Sequence, residues 1–259
     1  MRHFMHLTDS ILLSEYCQRH GISSDDMVQG SNIVLKPKDS QPLARHLNVI
    51  VPASFAETDG FCAASCYPEV YDAFSAHLHT FRQDLCSDAA LSALHGILTP
   101  HLLKWGYKPS PFFARWAASC LLLSPDNVAV EHILPQTRCL TPDAIPKNSL
   151  VSMKLSDCAA RGAYVIFADD VPDTVCCIAS INRRFQGDTC VEIGVECAPA
   201  YRRRGYARSC VCALARACLL RGEAVLYQYY CTNRASAAVA RCAGFEIKGR
   251  FFAYSSYLR

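Results

Sequence analysis

A short basic turn between a strand pattern and a helix pattern is the feature that most constrains the fold of this chain. The turn reads Tyr-Arg-Arg-Arg-Gly-Tyr-Ala over residues 201–207. Residues 190–197 before it have a strand pattern, and residues 207–221 after it carry apolar side chains at helical spacing. The first N–H groups of a helix have no intrahelical acceptor, and the helix dipole favours an anion there. The sequence therefore predicts a pyrophosphate-binding turn.

The two halves of the 259-residue chain differ in charge. Residues 1–140 carry 10 Lys and Arg against 13 Asp and Glu, a balance of −3, whereas residues 141–259 carry 16 against 10, a balance of +6. The basic half is the one that contains the predicted anion site. The net charge of +3 is too small to indicate a nucleic-acid partner. With 51% apolar and 19% charged residues, the composition is typical of a globular protein.

Sixteen cysteines raise the alternative of a disulfide-rich secreted protein. The first nine residues lack the apolar segment of a signal peptide. Most cysteines stand singly in apolar segments, as Cys210, Cys212 and Cys218 do on one predicted helix. We interpret them as small buried hydrophobic residues and expect a cytoplasmic protein.

Two segments partly resemble a metal site and a membrane span, but neither has the residue spacing or length that such a feature requires. Cys62 and Cys66 have three residues between them, and His77 and His79 follow without a second pair at matched spacing. The best apolar run, residues 112–123, is interrupted by Arg115 and is shorter than the roughly 20 residues of a membrane helix. We expect no metal and no membrane partner, and we interpret the apolar run as a buried helix.

Residues 1–126 are predicted to form a mostly helical α+β region of unknown role. A turn cluster at residues 124–127 marks its end, so the second domain is predicted to span residues 127–259. Pro100 and Pro109 are expected to interrupt regular structure. The predicted elements of this region are helices at 9–20, 68–85 and 88–98, with a strand at 47–52.

Residues 127–259 are predicted to alternate between strands and helices. Strand patterns cover 128–134, 163–168, 174–180, 190–197, 224–231, 245–247 and 250–254. Helix patterns cover 141–160, 207–221 and 235–242, with Gly222 and Gly244 at helix ends. The short acidic segment 169–173 between two of these strands predicts a hairpin.

Two motifs resemble one enzyme family when they are taken together. Residues 202–207, Arg-Arg-Arg-Gly-Tyr-Ala, fit the pattern Gln/Arg-x-x-Gly-x-Gly/Ala. Asn233 follows the next strand, and Gly244-Phe245 closes the short helix after it. The chain from about residue 128 thus resembles the GCN5-related N-acetyltransferase (GNAT) superfamily, and most closely a bacterial subgroup with an extra N-terminal region.

The resemblance implies an α/β (α+β) fold whose second domain has a mixed, mostly antiparallel sheet flanked by helices. It implies acetyl-CoA as co-substrate, with the backbone N–H groups of residues 203–208 around the pyrophosphate and with β-strand backbone along the pantetheine arm. The cofactor-binding residues that it implies are Val195, Cys197, Arg202, Arg203, Arg204, Gly205, Tyr206, Ala207, Arg208, Asn233 and Ser236.

The candidate catalytic residues are two carboxylates on one predicted strand. Glu192 and Glu196 are four positions apart and share one face, and a carboxylate takes up the proton that an attacking amine releases. Family members often place a tyrosine acid in the short helix, but Ala240 stands there in this chain. Tyrosines 227, 229 and 230 on the preceding strand and water are alternatives, which the sequence leaves open.

The sequence therefore leaves two functions open. The first is direct transfer of an acetyl group from acetyl-CoA to an amine of a small molecule or peptide. The second is a catalytically weak GNAT-like module that binds acetyl-CoA or another acyl-CoA as a sensor or regulator, which the alanine at 240 favours. The acceptor and the oligomeric state are not specified by the sequence, and a homodimer is one option.

Overall fold

The computed structural model describes residues 10–12, 14–16, 33–37, 49–58, 62–77, 88–109, 114–185 and 189–258. The chain divides into two compact units. Unit 1 comprises residues 1–118 and 248–259, and unit 2 comprises residues 119–247. From the sequence, one domain boundary is predicted between residues 126 and 127, with the C-terminus in the second domain. The structure instead places the last strand, from Lys248 onward, in the first unit.

The described elements are twelve strands and five helices. The strands are β1 Ile33–Pro37, β2 Val49–Thr58, β3 Cys62–Cys66, β4 Tyr107–Lys108, β5 Ala114–Leu122, β6 Arg138–Leu140, β7 Asn148–Ser149, β8 Ala163–Phe167, β9 Thr174–Arg184, β10 Cys190–Cys197, β11 Ala224–Tyr230 and β12 Glu246–Leu258. The helices are α1 Tyr71–Ala76, α2 Asp88–Lys104, α3 Leu155–Arg161, α4 Tyr206–Leu220 and α5 Arg234–Ala243. Residues 10–12 and 14–16 are also helical.

Unit 1 is built on strands in the order β1-β3-β2-β12, with β4 also paired to β12. β2 pairs antiparallel with both β3 and β12. Its core places aromatic side chains of the sheet and of α1 against leucines of α2. The residues Phe55, Phe74, Leu94, Leu98, Leu102, Phe252 and Tyr254 are all nearly inaccessible to solvent. The described part of residues 1–126 thus contains five strands, whereas the sequence predicts a mostly helical region there.

Helix α2 continues through Pro100 to Lys104, so the expected interruption at this proline is wrong. A proline inside a helix removes one hydrogen bond. Leu94, Leu98 and Leu102 are buried on the helix, and the burial of this apolar stripe offsets the lost bond. Within the earlier predicted helix 68–85, a 3-10 turn at Pro68–Val70 leads into α1, and residues 78–87 lie outside the described part.

Three further predicted elements differ from the structure. The apolar run at 112–123 contains strand β5, not a helix. A strand that is buried on both faces reads as a continuous apolar run, so periodicity does not distinguish it from a buried helix. Residues 128–134 form a 3-10 turn at Val130–His132 in place of a strand. Of the helix predicted at 141–160, the structure has only α3, after the short strand β7.

Unit 2 is a mixed sheet with strands in the order β5-β11-β10-β9-β8-β6. β10 runs antiparallel to β9 and parallel to β11, and β8 is antiparallel to β6 and β9. Helix α4 packs against β8, β9 and β10, and α3 packs against β9. The predicted class, a mostly antiparallel mixed sheet flanked by helices, is confirmed.

The helix after the basic turn forms as its sequence pattern predicts. Cys210, Val211, Leu214 and Cys218 lie on the buried side of α4, and Gly222 follows with the left-handed φ of +82° that suits glycine at a helix C-terminus. Among the described helices, none is both long and apolar enough to cross a membrane.

Candidate functional site

Strands β10 and β11 are paired over only part of their length. The parallel pairing joins Cys190 to Ala224 and ends with Ile193 opposite Tyr227. β10 continues to Cys197, and in this last stretch its partners in the described sheet lie on β9. Val195 and Cys197, two of the predicted pantetheine-binding residues, therefore lie where β10 has a strand neighbour on one side only. An extended ligand with amide groups fits such a backbone edge.

The basic turn after β10 has a backbone suited to an anion. Arg203 has φ +64°, and Gly205 has φ +80° and ψ 0° as the residue before α4. No side chain caps the start of α4, and the first bond across this turn runs from the Ser209 N–H to the Gly205 carbonyl. The N–H groups at residues 206–208 consequently have no intrahelical acceptor. The turn thus has backbone N–H groups available at the place where the sequence predicts a pyrophosphate site.

Arg208 carries an unsatisfied polar atom at the same helix end. Its Nε atom is buried and has no hydrogen-bond partner among the described residues. The Nη2 atom of its guanidinium lies 3.5 Å from the position that a Cβ on Gly205 would occupy, so the side chain folds back over the turn. A buried unpaired donor is costly in a folded protein. A phosphate group at this turn would supply the missing acceptor.

The other arginines of the turn have different surroundings. Arg204 lies 3.6 Å from a carboxylate oxygen of Asp169 and stacks on the Tyr201 ring at 5.1 Å. Arg202 donates through Nε to the Cys197 carbonyl at 3.1 Å. Arg203 is exposed, with a left-handed backbone. The sequence predicts that these arginines bind phosphate together. In the structure, Arg202 and Arg204 already contact other protein groups, whereas Arg203 is exposed.

An acidic hairpin loop between β8 and β9 contacts both sides of this turn. The Tyr201 hydroxyl donates to the Asp170 carboxylate, and the Tyr206 hydroxyl donates to Asp169 at 2.8 Å. The first bond holds the pKa of Asp170 below its usual range and raises the pKa of Tyr201 to about 12. Sequence reasoning did not connect these segments. The only signal was their opposite charge, across 31 and 37 residues of chain.

Asn233 is the N-cap of α5, because its Oδ1 atom accepts from the Ser236 N–H at 3.1 Å. Capping uses the carbonyl oxygen of the side chain, and the Nδ2 group is a separate donor. The Ser236 side chain lies close enough to Tyr227 on β11 to favour a lower pKa of that tyrosine, against the larger effect of burial. The two residues predicted from the second motif thus lie together near the place where β11 leaves β10.

Glu192 forms an ion pair within the sheet. The Nε atom of Arg183 on β9 donates to Glu192 Oε2 at 2.6 Å, and the glutamate side chain is only 14% exposed. The pair lies beside an irregularity in the β9–β10 register between Glu192 and Ile193. Such bulges are frequent next to active sites. The predicted role of Glu192 as a base stays a prediction.

Glu196 binds the segment that precedes α3. Its carboxylate accepts from Ser152 N and Ser152 Oγ, both at 2.9 Å, and from Met153 N at 3.2 Å. Gly194 lies between the two glutamates on the same strand face, and a Cβ there would meet the Asn182 side chain at 2.6 Å. Both predicted carboxylates therefore share one face, and both have protein partners.

The place of the family's tyrosine acid is occupied by Ala240, which is 1% exposed. Of the alternatives on β11, Tyr227 is buried and Tyr230 is 49% exposed. Burial raises the pKa of Tyr227, and burial together with the neighbouring Cys120 raises the pKa of Tyr229 to about 12. Both hydroxyls therefore keep their protons at neutral pH, as a proton donor must.

Cys197 lies directly opposite Cys177 across the β9–β10 pair. The contact between the two thiols, followed by burial, raises the pKa of Cys197. Since the thiolate is the nucleophilic form of cysteine, this residue is a poor nucleophile at neutral pH.

Of the residues considered for a metal site, only part lies in the described structure. His77 is hydrogen-bonded through Nδ1 to the Ala73 carbonyl at 2.8 Å, and His79 lies outside the described residues. Across the described ranges, no group of three or more His, Cys, Asp or Glu side chains is arranged to hold a metal ion.

Comparison with known sequences finds a family that is similar to the part of the chain that contains these features. Residues 158–254 match the sequence model of the family described as GNAT acetyltransferase. The match includes the basic turn, α4, Asn233 and Gly244. No curated protein sequence is significantly similar to the chain.

Several solved structures share a distant similarity. A putative GNAT-family acetyltransferase from Novosphingobium aromaticivorans is 16% identical, with a TM-score of 0.43 over 56% of this chain and 66% of its own. A GCN5-related N-acetyltransferase-like protein from Streptococcus suis is 14% identical, with a TM-score of 0.46 over 81% and 87%. A GCN5-related N-acetyltransferase from Sphaerobacter thermophilus is 11% identical, with a TM-score of 0.43 over 97% and 92%.

The aligned part of the chain spans less than two thirds of the Novosphingobium protein and 57% of a Drosophila protein of known structure. Similarity at this level does not identify a substrate. The sequence match covers the basic turn and the strands and helices around it. Through residues 158–254, the chain is similar in sequence to the family described as GNAT acetyltransferase.

Proposed function

We propose that this protein is an acetyl-CoA-dependent N-acetyltransferase that acts on an amine of a small molecule or peptide. The observation that carries the proposal is the start of α4. There, the left-handed Gly205 precedes a helix end without a side-chain cap, and the buried Nε atom of Arg208 has no partner in the part of the chain that the structure describes. A dianionic pyrophosphate would satisfy the free N–H groups and the guanidinium together.

The donor would extend from this turn along β10. The N–H groups of residues 203–208 would surround the pyrophosphate, and the backbone of Val195 and Cys197 would bind the pantetheine amides. The Arg202 side chain, which donates to the Cys197 carbonyl at 3.1 Å, would have to release that oxygen to a ligand. Asn233 would add its Nδ2 donor while its Oδ1 atom caps α5.

The reaction would be direct attack of the acceptor amine on the thioester carbonyl. Glu192 would take the amine proton, directly or through water, as the carbon–nitrogen bond forms and the thiolate leaves. Its ion pair with Arg183 would hold the carboxylate in one orientation. A covalent route through Cys197 is disfavoured, because contact with Cys177 and burial raise the pKa of its thiol.

The remaining parts of the proposal concern partners and location. The acceptor would be a small molecule or a peptide, with neither nucleic acid nor membrane as a partner, and the protein would act in the cytoplasm. The overall charge of +3 supports the exclusion of nucleic acid. A homodimer is compatible with this activity, and sedimentation or light scattering of the purified protein tests it.

A second candidate function is an acyl-CoA sensor with little transfer activity. Two observations favour it. Ala240 occupies the place of the usual acid and is buried, and both candidate bases are engaged by protein groups. Such a module would use the same donor site and lack a fast chemical step.

Calorimetric titration with acetyl-CoA tests the donor site. The wild type should bind saturably, and Gly205→Glu should lose binding because a side chain and a like charge enter the phosphate site. Gly222→Glu is the matched control, since Gly222 also has a left-handed φ and has no neighbour within 4 Å, at the opposite end of the same helix. Equal affinities in all three proteins would refute the donor site.

A thiol-release assay with a panel of amines then separates the two functions. Rapid CoA release with one class of amine is expected of the enzyme. Slow thioester hydrolysis that no amine accelerates would favour the sensor.

A further inference from the structure

The acidic hairpin loop, residues 168–173, makes three contacts with the basic turn. Tyr201 donates to Asp170, Tyr206 donates to Asp169 at 2.8 Å, and Arg204 lies 3.6 Å from Asp169. The two tyrosine rings are buried, at 5% and 6% exposure, whereas the carboxylates are exposed. The phenol groups therefore extend from the core to the edge of the loop.

These contacts enclose the part of the turn that needs an unusual backbone. Tyr201 ends the 3-10 turn before the arginines, and Tyr206 is the first residue of α4. Between them lie Arg203 and Gly205, both with positive φ. A non-glycine residue in this conformation persists only where its surroundings hold it. The hairpin thus holds both ends of the strained segment.

The hairpin is itself conformationally unusual. Among the described residues, the non-glycine residues with positive φ are Arg203 and Asp173, which has φ +49° and lies in this loop. Two separate segments with unfavourable backbones therefore meet through the tyrosine–aspartate bonds. Such residues cluster at functional sites, where the conformation is part of the binding geometry.

The charged and polar groups around the turn have different roles, as their contacts indicate. Arg204 is held by Asp169 and by the Tyr201 ring, so it offsets the negative charge of the loop. The Nε atom of Arg208 has no partner, and the backbone N–H groups at the start of α4 are uncapped. The groups that face a phosphate are therefore distinct from those that hold the turn.

We propose that Asp169 and Asp170 are positioning residues for the donor site, which hold the pyrophosphate-binding turn through Tyr206 and Tyr201 and touch no ligand. This inference rests on the proposed acetyl-CoA site. Preorganised binding groups lose less conformational freedom when the ligand arrives. The hairpin should therefore increase affinity for CoA and leave the chemical step unchanged.

Backbone hydrogen exchange of the free protein tests the positioning without any ligand. In the double variant Tyr201→Phe/Tyr206→Phe, amides of residues 203–208 should exchange at least about tenfold faster than in the wild type. Tyr164→Phe on β8 is the control and should leave these amides unchanged. Unchanged exchange in the double variant would overturn the proposal, whatever the outcome with CoA.

Titration with CoA tests the consequence for binding. The double variant should bind CoA about tenfold more weakly than the wild type. Asp170→Ala, which changes no residue of the binding turn, should keep kcat at saturating acetyl-CoA within about twofold. Faster exchange at residues 203–208 with unchanged CoA affinity would refute the positioning role while leaving the donor site intact. A wild type that does not bind CoA would refute the proposed function itself.

Asp170→Asn and Asp170→Ala separate the hydrogen bond from the charge. Both substitutions remove the negative charge, but only asparagine keeps an acceptor for the Tyr201 hydroxyl. The asparagine variant should bind CoA several-fold more tightly than the alanine variant. Equal affinities would show that the carboxylate acts through charge alone and would contradict the proposal.

Discussion

The backbone carbonyl oxygen of Asn127 lies against Gly244, so closely that a Cβ on the glycine would overlap it. Gly244 also has φ +96°, in the left-handed region. It ends α5, and its N–H and that of Phe245 close the last turn on the carbonyls of Arg241 and Ala240. The glycine of the second motif thus has a packing role as well as a conformational one.

Gly244→Ala should therefore destabilise the protein by about 3 kcal/mol or more, the sum of the left-handed backbone and the steric overlap. Gly222→Ala is the matched control, because its φ of +82° is similar and nothing lies within 4 Å of the added Cβ. That variant should lose only about 1–2 kcal/mol. Urea unfolding of the three proteins measures both values, and equal losses would contradict the steric argument.

Glutamine substitutions should distinguish the two glutamates of β10. Glu192→Gln should lower kcat about a hundredfold or more with little change in the KM for acetyl-CoA, as expected for loss of a base. Glu196→Gln should lose about 1–2 kcal/mol of stability, because it replaces one acceptor oxygen that faces Ser152 and Met153 by a donor. Steady-state kinetics measure kcat and KM for the Glu192→Gln variant, and chemical unfolding measures the stability of the Glu196→Gln variant. Full turnover in Glu192→Gln would remove it from the mechanism.

The Tyr201–Asp170 bond should stabilise the protein within a defined pH window. The pKa of Asp170 is lowered by this bond, so its contribution is complete above the unfolded pKa of about 4 and is lost as pH falls further. The pKa of Tyr201 is raised to about 12, so the bond is complete below about pH 10 and is lost as pH rises toward 12.

The melting temperature of the wild type should accordingly exceed that of Tyr201→Phe by a constant amount between about pH 5 and pH 9. The difference should shrink toward about pH 3. Thermal unfolding across this range is the measurement. A difference that widened in acid would show that the hydrogen bond to Asp170 is not what the hydroxyl contributes.

Replacing Cys197 should leave the chemistry intact. Contact with the Cys177 thiol and burial raise its pKa, so a covalent acyl-enzyme on this sulfur is not expected. Cys197→Ser should retain kcat within about threefold, and mass spectrometry of the wild type after mixing with acetyl-CoA should find no acetyl adduct on this residue. A stoichiometric adduct that forms and decays at the rate of turnover would contradict direct attack.

A fragment that begins at residue 127 should be poorly soluble. It would contain β12 but lack β2, with which β12 pairs from Gly249 opposite Thr58 to Tyr257 opposite Val49. An unpaired strand edge with aromatic side chains favours aggregation. Size-exclusion chromatography of the fragment and the full chain tests this. A monomeric, folded fragment would instead support the boundary at 126/127 that the sequence predicts.

Local patterns in the sequence were sufficient where a short segment carries its own signals. The apolar spacing over α4, with glycine before and after it, predicted that helix within one residue at each end. The acidic turn at residues 169–173 predicted the β8–β9 hairpin. In contrast, β5 was predicted as a helix, because a strand buried on both faces has no polar alternation to identify it.

The sequence by itself determined the chemistry of the turn at residues 201–207, because glycine at 205 and arginines around it restrict both backbone and charge. Only the tertiary structure decided which arginine is available. Arg204 is engaged by Asp169, and Arg208 retains a buried donor without a partner. These contacts join segments more than 30 residues apart, and no local periodicity or propensity encodes such a distance, since it depends on how β8, β9 and α4 pack together.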